Sequence, residues 1–151
     1  MSKSITSKAF IVSFYTDERE LISEVRSRIM AKAEPTGRLF YARLFEIAPH
    51  LKPLFKNTSM RNQHAMFIYM IGMGASTFMN NAQDYSLLQT LGVRHRSYGI
   101  KIEHFGYFRE ALLWAFTEVM GDDFTPDHAA AWNKLFTAIV HTMNGDVAAS
   151  Q

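Results

Sequence analysis

Nowhere along these 151 residues do Val, Ile and Thr alternate with polar residues over the length of a β-strand, whereas apolar residues recur at three- and four-residue spacing throughout. A sheet is therefore not expected, and the fold class is all-α, with roughly seven helices packed on one another. The four prolines fit this reading because they fall where helices start and stop. Pro35 with Gly37 is expected to separate a first helix, about residues 17–33, from a second that carries Leu39, Phe40, Leu44, Phe45 and Ile47. Thr16 and Asp17 are candidate caps of the first. Pro49 and Pro53 bracket a tight turn, followed by a polar loop over residues 56–59.

A third helix is expected over residues 60–79, with Met60, Gln63, Phe67, Met70, Ile71 and Gly74 along one face. Its Gly72 and Gly74 should let another backbone approach closely. After Asn80-Asn81 a shorter helix ends near Tyr98-Gly99, a long one covers about residues 103–120, and the last opens at Thr125-Pro126. Thr followed by Pro suits an N-cap and first turn, since Pro has no N–H to leave unsatisfied.

Composition narrows the function classes. Sixteen basic residues against fourteen acidic give a net charge of +2 with no long run of one sign, so no nucleic-acid partner is expected. The absence of cysteine excludes disulfides and Cys-based zinc sites. The apolar stretch at residues 9–15 is broken by Ser13 and is too short for a signal peptide or a membrane span, so the expected location is the cytoplasm, with no membrane partner. One domain over residues 17–151, preceded by an extension of residues 1–16, is the expected organisation. Twelve Phe imply a wide apolar interior or the lining of a flat ligand.

Six histidines, at positions 50, 64, 95, 104, 128 and 141, are the candidate metal ligands, because neutral imidazole is a common donor to transition metals. None forms a His-x-x-x-His pair of the zinc-enzyme type, and Gly-rich phosphate loops and a Gly-x-Ser-x-Gly nucleophile turn are also missing from the sequence. Taken singly, each histidine reads as an ordinary surface or core residue.

As a constellation, however, the sequence resembles the globin family. Phe40-Tyr41-Ala42-Arg43-Leu44-Phe45, then Pro49 and Leu54-Phe55, resemble the second globin helix, its corner proline and the Phe that stacks on haem. The segment from Leu91 through Gly92-Val93-Arg94-His95 to Ile100 resembles the proximal-histidine region, and Phe124-Thr125-Pro126 with Ala130-Ala131-Trp132 the start of the final helix. The resemblance runs from about residue 20 to 143 and is nearest to neuroglobin-like and bacterial single-domain globins, including the haem domain of flavohaemoglobins. Tyr41 to Phe55 is 14 residues and Gln63 to His95 is 32, both gap-free against such globins. Gln63 therefore takes the distal position; the alternative of His64 over the iron, giving a bis-histidine haem, needs a one-residue deletion.

The resemblance implies a globin fold of about seven to eight helices around haem b. It implies His95 as the iron ligand, its other ring N–H bonded to the carbonyl of Leu91. Phe55, Phe67, Leu91, Ile100, Phe105 and Phe108 are implied as the cofactor lining, and Arg94 and Arg96 as candidates for its propionates. Tyr41 and Gln63 are implied as distal donors to O2, with NO and CO as competing ligands. Hydrogen bonds to a charged group contribute about 1.5–3 kcal/mol, so two would slow O2 escape by roughly two to four powers of ten.

The function implied is reversible O2 binding for scavenging or storage by a monomer or homodimer. Two alternatives are NO dioxygenation and gas sensing. The first is expected to need a separate reductase, since no flavin or nicotinamide domain follows the match within this sequence. In flavohaemoglobins a Tyr and a Glu reinforce the proximal histidine, whereas the matching positions here hold Phe105 and Val147, with only Asp146 adjacent. Efficient dioxygenation is accordingly the less expected function.

Overall fold

The computed structural model describes residues 12–79 and 85–145. In chain order they form α1 (Thr16–Ala31), α2 (Ala33–Ile47), a 3-10 helix (Pro49–Phe55), α3 (Met60–Met79), α4 (Ser86–Ser97), α5 (Phe105–Met120) and α6 (Pro126–Met143), with one-turn 3-10 segments before and after α5. No strand occurs among the described residues. The six α-helices and the long 3-10 helix match the all-α expectation of roughly seven helices.

Helix α1 buries Ile22, Val25 and Ile29, one residue per turn, and packs on α3 and α6. Its start differs from expectation: the cap is Tyr15, whose backbone N–H donates to the Glu18 carboxylate at 2.8 Å. Glu18 also receives Lys134 Nζ at 2.9 Å, and the same ammonium reaches the Ser13 carbonyl at 2.7 Å, tying the extended entry to α6. An acid at the third helical position thus reaches back to the N–H of the cap residue itself, as in one half of a capping box.

The break between α1 and α2 falls at Lys32, earlier than the prolyl residue suggested. Pro35 lies in the first turn of α2, where a backbone N–H has no partner inside the helix, so the ring costs nothing there. Gly37 consequently lies within α2 and faces α3, where a Cβ would fall on the backbone carbonyl of His64. Gly92 plays the same part in α4, a Cβ there colliding with the carbonyl of Met143 at the end of α6. Backbone-to-backbone approach was expected instead at Gly72 and Gly74, but these meet the side chains of Met30 and Ile139.

Helix α5 begins at Phe105 rather than Glu103, because residues 102–104 tighten into a 3-10 turn in which His104 Nδ1 accepts the Lys101 N–H. The opening of α6 agrees with expectation: Thr125 Oγ1 accepts the His128 N–H at 3.3 Å and Pro126 follows. His128 is buried and structural. Its Nδ1 accepts the Thr125 N–H, which leaves the proton on Nε2 to donate to Glu24 at 2.6 Å, joining α6 to α1.

The core runs between these layers, with Trp132, Phe40, Phe116, Leu44, Ile68 and Leu135 completely or almost completely buried. Helix α2 lies at its centre, packed on α3 on one side and α5 on the other, while α4 rests on α6. Helix α3 thus borders α2 along its length, while α4 meets the start of α5 through the His95 and Phe105 rings.

Candidate functional site

His95 and Leu91 are four residues apart on α4, so His95 can reach the carbonyl one turn earlier. Its Nδ1 donates to the Leu91 oxygen at 2.7 Å. A carbonyl only accepts, so Nδ1 holds the proton and Nε2 keeps a lone pair, the form of imidazole that ligates a metal. The ring is half-buried, with the Phe105 ring at 6.4 Å in place of any hydroxyl. The other positions weighed for proximal reinforcement, residues 146 and 147, lie outside the described residues.

A continuous aromatic wall leads from there across α5 and α2. Phe105 contacts Phe108 at 5.4 Å, Phe108 meets Phe40 at 6.1 Å, and Phe40 stacks on Phe67 at 4.2 Å with planes 17° apart. Tyr41 closes the wall against Phe67 at 5.6 Å and Phe55 at 5.5 Å. Four of the six expected lining residues, Phe55, Phe67, Phe105 and Phe108, thus belong to one connected surface. Leu91 is joined to it through His95, and Ile100 is buried just beyond α4. Phe40, which links the two halves of the wall, enters the sequence reading as a helix-face residue and as part of the segment resembling the second globin helix, but not as a lining residue. Its position at the α2–α5 seam explains why: nothing in the spacing distinguishes a core Phe from one that joins two parts of a site.

At the far end of the wall Gln63 Nε2 donates to the Tyr41 hydroxyl at 2.9 Å. The phenol oxygen is the acceptor in this bond, so the Tyr41 proton remains free to donate elsewhere. Burial drives the Tyr41 pKa above its usual value, with the Gln63 hydrogen bond opposing, which favours the protonated hydroxyl. This pair is a neutral double donor in an apolar setting, suited to a ligand that gains partial negative charge.

His64, adjacent to Gln63, is turned away from that position. Its Nδ1 lies 3.1 Å from Glu34 Oε2 on α2, and its ring is 5.9 Å from that of Tyr41. Arg96 Nη1 donates to the Met143 carbonyl at 3.0 Å and to Asn144 Oδ1 at 3.4 Å. Arg94 is exposed in the last turn of α4. Among the described residues no group of three or more His, Asp or Glu side chains is placed to hold a bare metal ion.

A helical bundle with a ligand-competent histidine at one end of an aromatic wall and a Tyr–Gln donor pair, its Tyr buried, at the other has the attributes of a haem protein. Residues 38–143 match the globin family model, and the chain belongs to the globin family. Among curated relatives it is 32% identical to the flavohemoprotein of Bacillus subtilis (strain 168), over 73% of this chain and 28% of that protein. It is 27% identical to an anaerobic nitrite reductase of Gossypium hirsutum, over 83% of this chain and 86% of the relative. It is 25% identical to an anaerobic nitrite reductase of Casuarina glauca, over 83% of this chain and 88% of the relative. The chain thus spans little more than a quarter of the Bacillus protein but most of each plant protein.

Family membership supports haem-based binding of small gases, and the side chains fit such a group: a free ring nitrogen for the metal, flat apolar surfaces for the macrocycle and no buried charge along the wall. No helix among the described residues is long and apolar enough to cross a membrane.

Proposed function

We propose that this globin holds haem b through His95 and binds a diatomic ligand, O2 foremost, with NO and CO as competitors, under the hydroxyl of Tyr41 and the amide of Gln63. The observation that carries this reading is the Gln63-to-Tyr41 hydrogen bond, because its direction leaves the Tyr41 proton unspent. When bound, haem supplies an iron with a coordination position open to a diatomic molecule. His95 would offer its Nε2 lone pair to the metal, and the Leu91 carbonyl would fix the ring and raise its basicity. Phe55, Phe67, Phe105, Phe108, Leu91 and Ile100 exclude water from the macrocycle, and with no cysteine to form a thioether the attachment rests on His95 and these contacts.

Residues 17–151 are taken as the globin domain and 1–16 as an extension, in a cytoplasmic monomer or homodimer. The test is an absorption spectrum in the ferric, deoxy-ferrous and oxygenated states. The expected result is one haem per chain and an oxygenated form that persists; rapid oxidation to the ferric state would overturn oxygen binding as the role.

A second reading is redox chemistry on nitrogen oxides with a separate reductase, favoured by the names of the flavohemoprotein and nitrite-reductase relatives. Tyr41 and Gln63 would then orient a nitrogen oxide. Sustained turnover of NO or nitrite with a supplied reductase would establish it, and a single reaction per chain would dismiss it.

A further inference from the structure

Helices α2 and α3 meet along a short stretch where α2 presents Glu34, Gly37 and Tyr41 and α3 presents Gln63 and His64. The three α2 residues are separated by three and four positions and so share one face. Each makes a different contact. Tyr41 receives the Gln63 amide, Gly37 admits the His64 backbone carbonyl, and Glu34 takes the His64 ring.

Neighbouring residues on an α-helix point about 100° apart, so only one of Gln63 and His64 can face the Tyr41 hydroxyl at a time. The competitor is close, its ring centroid 5.9 Å from that of Tyr41 and tilted by 34°. It is also chemically capable. An ionised carboxylate only accepts, so the ring nitrogen held by Glu34 carries a proton, and in the neutral ring Nε2 keeps a lone pair that can accept from a hydroxyl or ligate a metal. What separates His64 from the distal position is where Nδ1 is anchored. The His64 ring is 16% exposed and the Glu34 side chain 48%, which puts the anchor at the outer edge of the helix contact. Glu34 is in turn steadied by Arg38 Nη2 at 3.5 Å.

We propose that Glu34 is a positioning residue for the distal pair: by holding the His64 ring at the outer edge of the α2–α3 contact it keeps His64 from Tyr41 and leaves Gln63 as the partner of the Tyr41 hydroxyl. This rests on the reading of Tyr41 and Gln63 as the distal donors. Gly37 complements Glu34 by seating the His64 backbone, so the side chain is the part free to turn. An exposed ion pair contributes little to stability, and its expected role here is to bias two side-chain arrangements rather than to hold the fold.

The test uses the haem-loaded protein with carbon monoxide as probe, reading the carbon–oxygen stretching bands, which report the polarity around the ligand independently of any turnover. Glu34→Ala is expected to raise a second band a few-fold in weight, Glu34→Gln to match the parent because its amide oxygen still accepts, and Glu34→Ala with His64→Ala to lose the added band. If Glu34→Ala does not hold haem, Glu34→Ser carries the same expectation. Bands unchanged by removal of the carboxylate, or an added band that survives removal of His64, would overturn the proposal. Tyr41→Phe in the parent separates the two readings: bands that ignore Tyr41 sink the distal assignment, whereas bands that respond to Tyr41 but not to Glu34 sink the positioning role alone.

Discussion

His95 on α4 and His64 on α3 are held in the same way at different distances. Each donates Nδ1–H to an oxygen, at 2.7 Å to the Leu91 carbonyl and at 3.1 Å to the Glu34 carboxylate, and each helix is seated nearby by a glycine against a backbone carbonyl. The partners differ. Leu91 belongs to the same helix, and its carbonyl cannot leave without unwinding a turn. Glu34 belongs to another helix, is half exposed, and can rotate or take a proton. One histidine is therefore built to keep a fixed direction and the other is tethered, so an imidazole's role follows from what fixes its second nitrogen.

The largest test of this contrast removes each ring in turn. Losing only the group behind a metal ligand costs about 10–100-fold in metal affinity, so His95→Ala should lower haem retention by more than roughly 100-fold. His64→Ala should leave retention unchanged. Haem transfer to a competing apoprotein measures both, and equal losses would erase the distinction.

Next in size is the donor pair. Each hydrogen bond to a charged ligand contributes about 1.5–3 kcal/mol, so Tyr41→Phe and Gln63→Leu should each speed O2 release roughly 10- to 150-fold. Because Gln63 donates to Tyr41, the two changes should not add, and the double variant should fall short of the product. Stopped-flow displacement of O2 by CO gives the rates; unchanged release would mean that the donors point elsewhere.

The two histidines also mark how far the sequence could be read. On the His95 side the resemblance singled out one histidine of six, and the bond it implied to the Leu91 carbonyl is local, residues 95 and 91 being one turn apart in one segment. The pairing of Tyr41 with Gln63 spans 22 positions and came from resemblance and spacing, yet its direction, with the amide donating, lay beyond either. The Glu34 tether was invisible because it depends on the crossing of α2 and α3, which Gly37 sets. Gly37 reads as punctuation beside Pro35, since Pro and Gly together signal a break unless the proline falls within a first turn. The same limit applies to Gly72 and Gly74, where small residues on a helix face did not disclose whether a backbone or a side chain would fill the space.

The smallest expected effect is one of acidity, and it acts on one histidine only. The His64 hydrogen bond holds the Glu34 carboxyl below its usual pKa, with desolvation opposing and Arg38 adding to the lowering. A carboxyl with a lowered folded-state pKa stabilises the folded arrangement above the ordinary carboxylate range, and that contribution fades as pH falls through the lowered value. The tether should accordingly slacken on acidification, whereas the Leu91 carbonyl has no proton to gain in that range. In the CO-bound protein the weight of the stretching bands should drift by at most a few-fold over this acid interval, less so at high salt, which screens an exposed pair. Glu34→Gln removes the titrating group while keeping an acceptor, so it should flatten the drift without changing the bands near neutrality. The other carboxylates are common to both proteins, which makes the difference between the two titrations the quantity to read. If parent and Glu34→Gln drift alike, the carboxylate does not distinguish the two histidines, and the tether must be sought in the Gly37 contact instead.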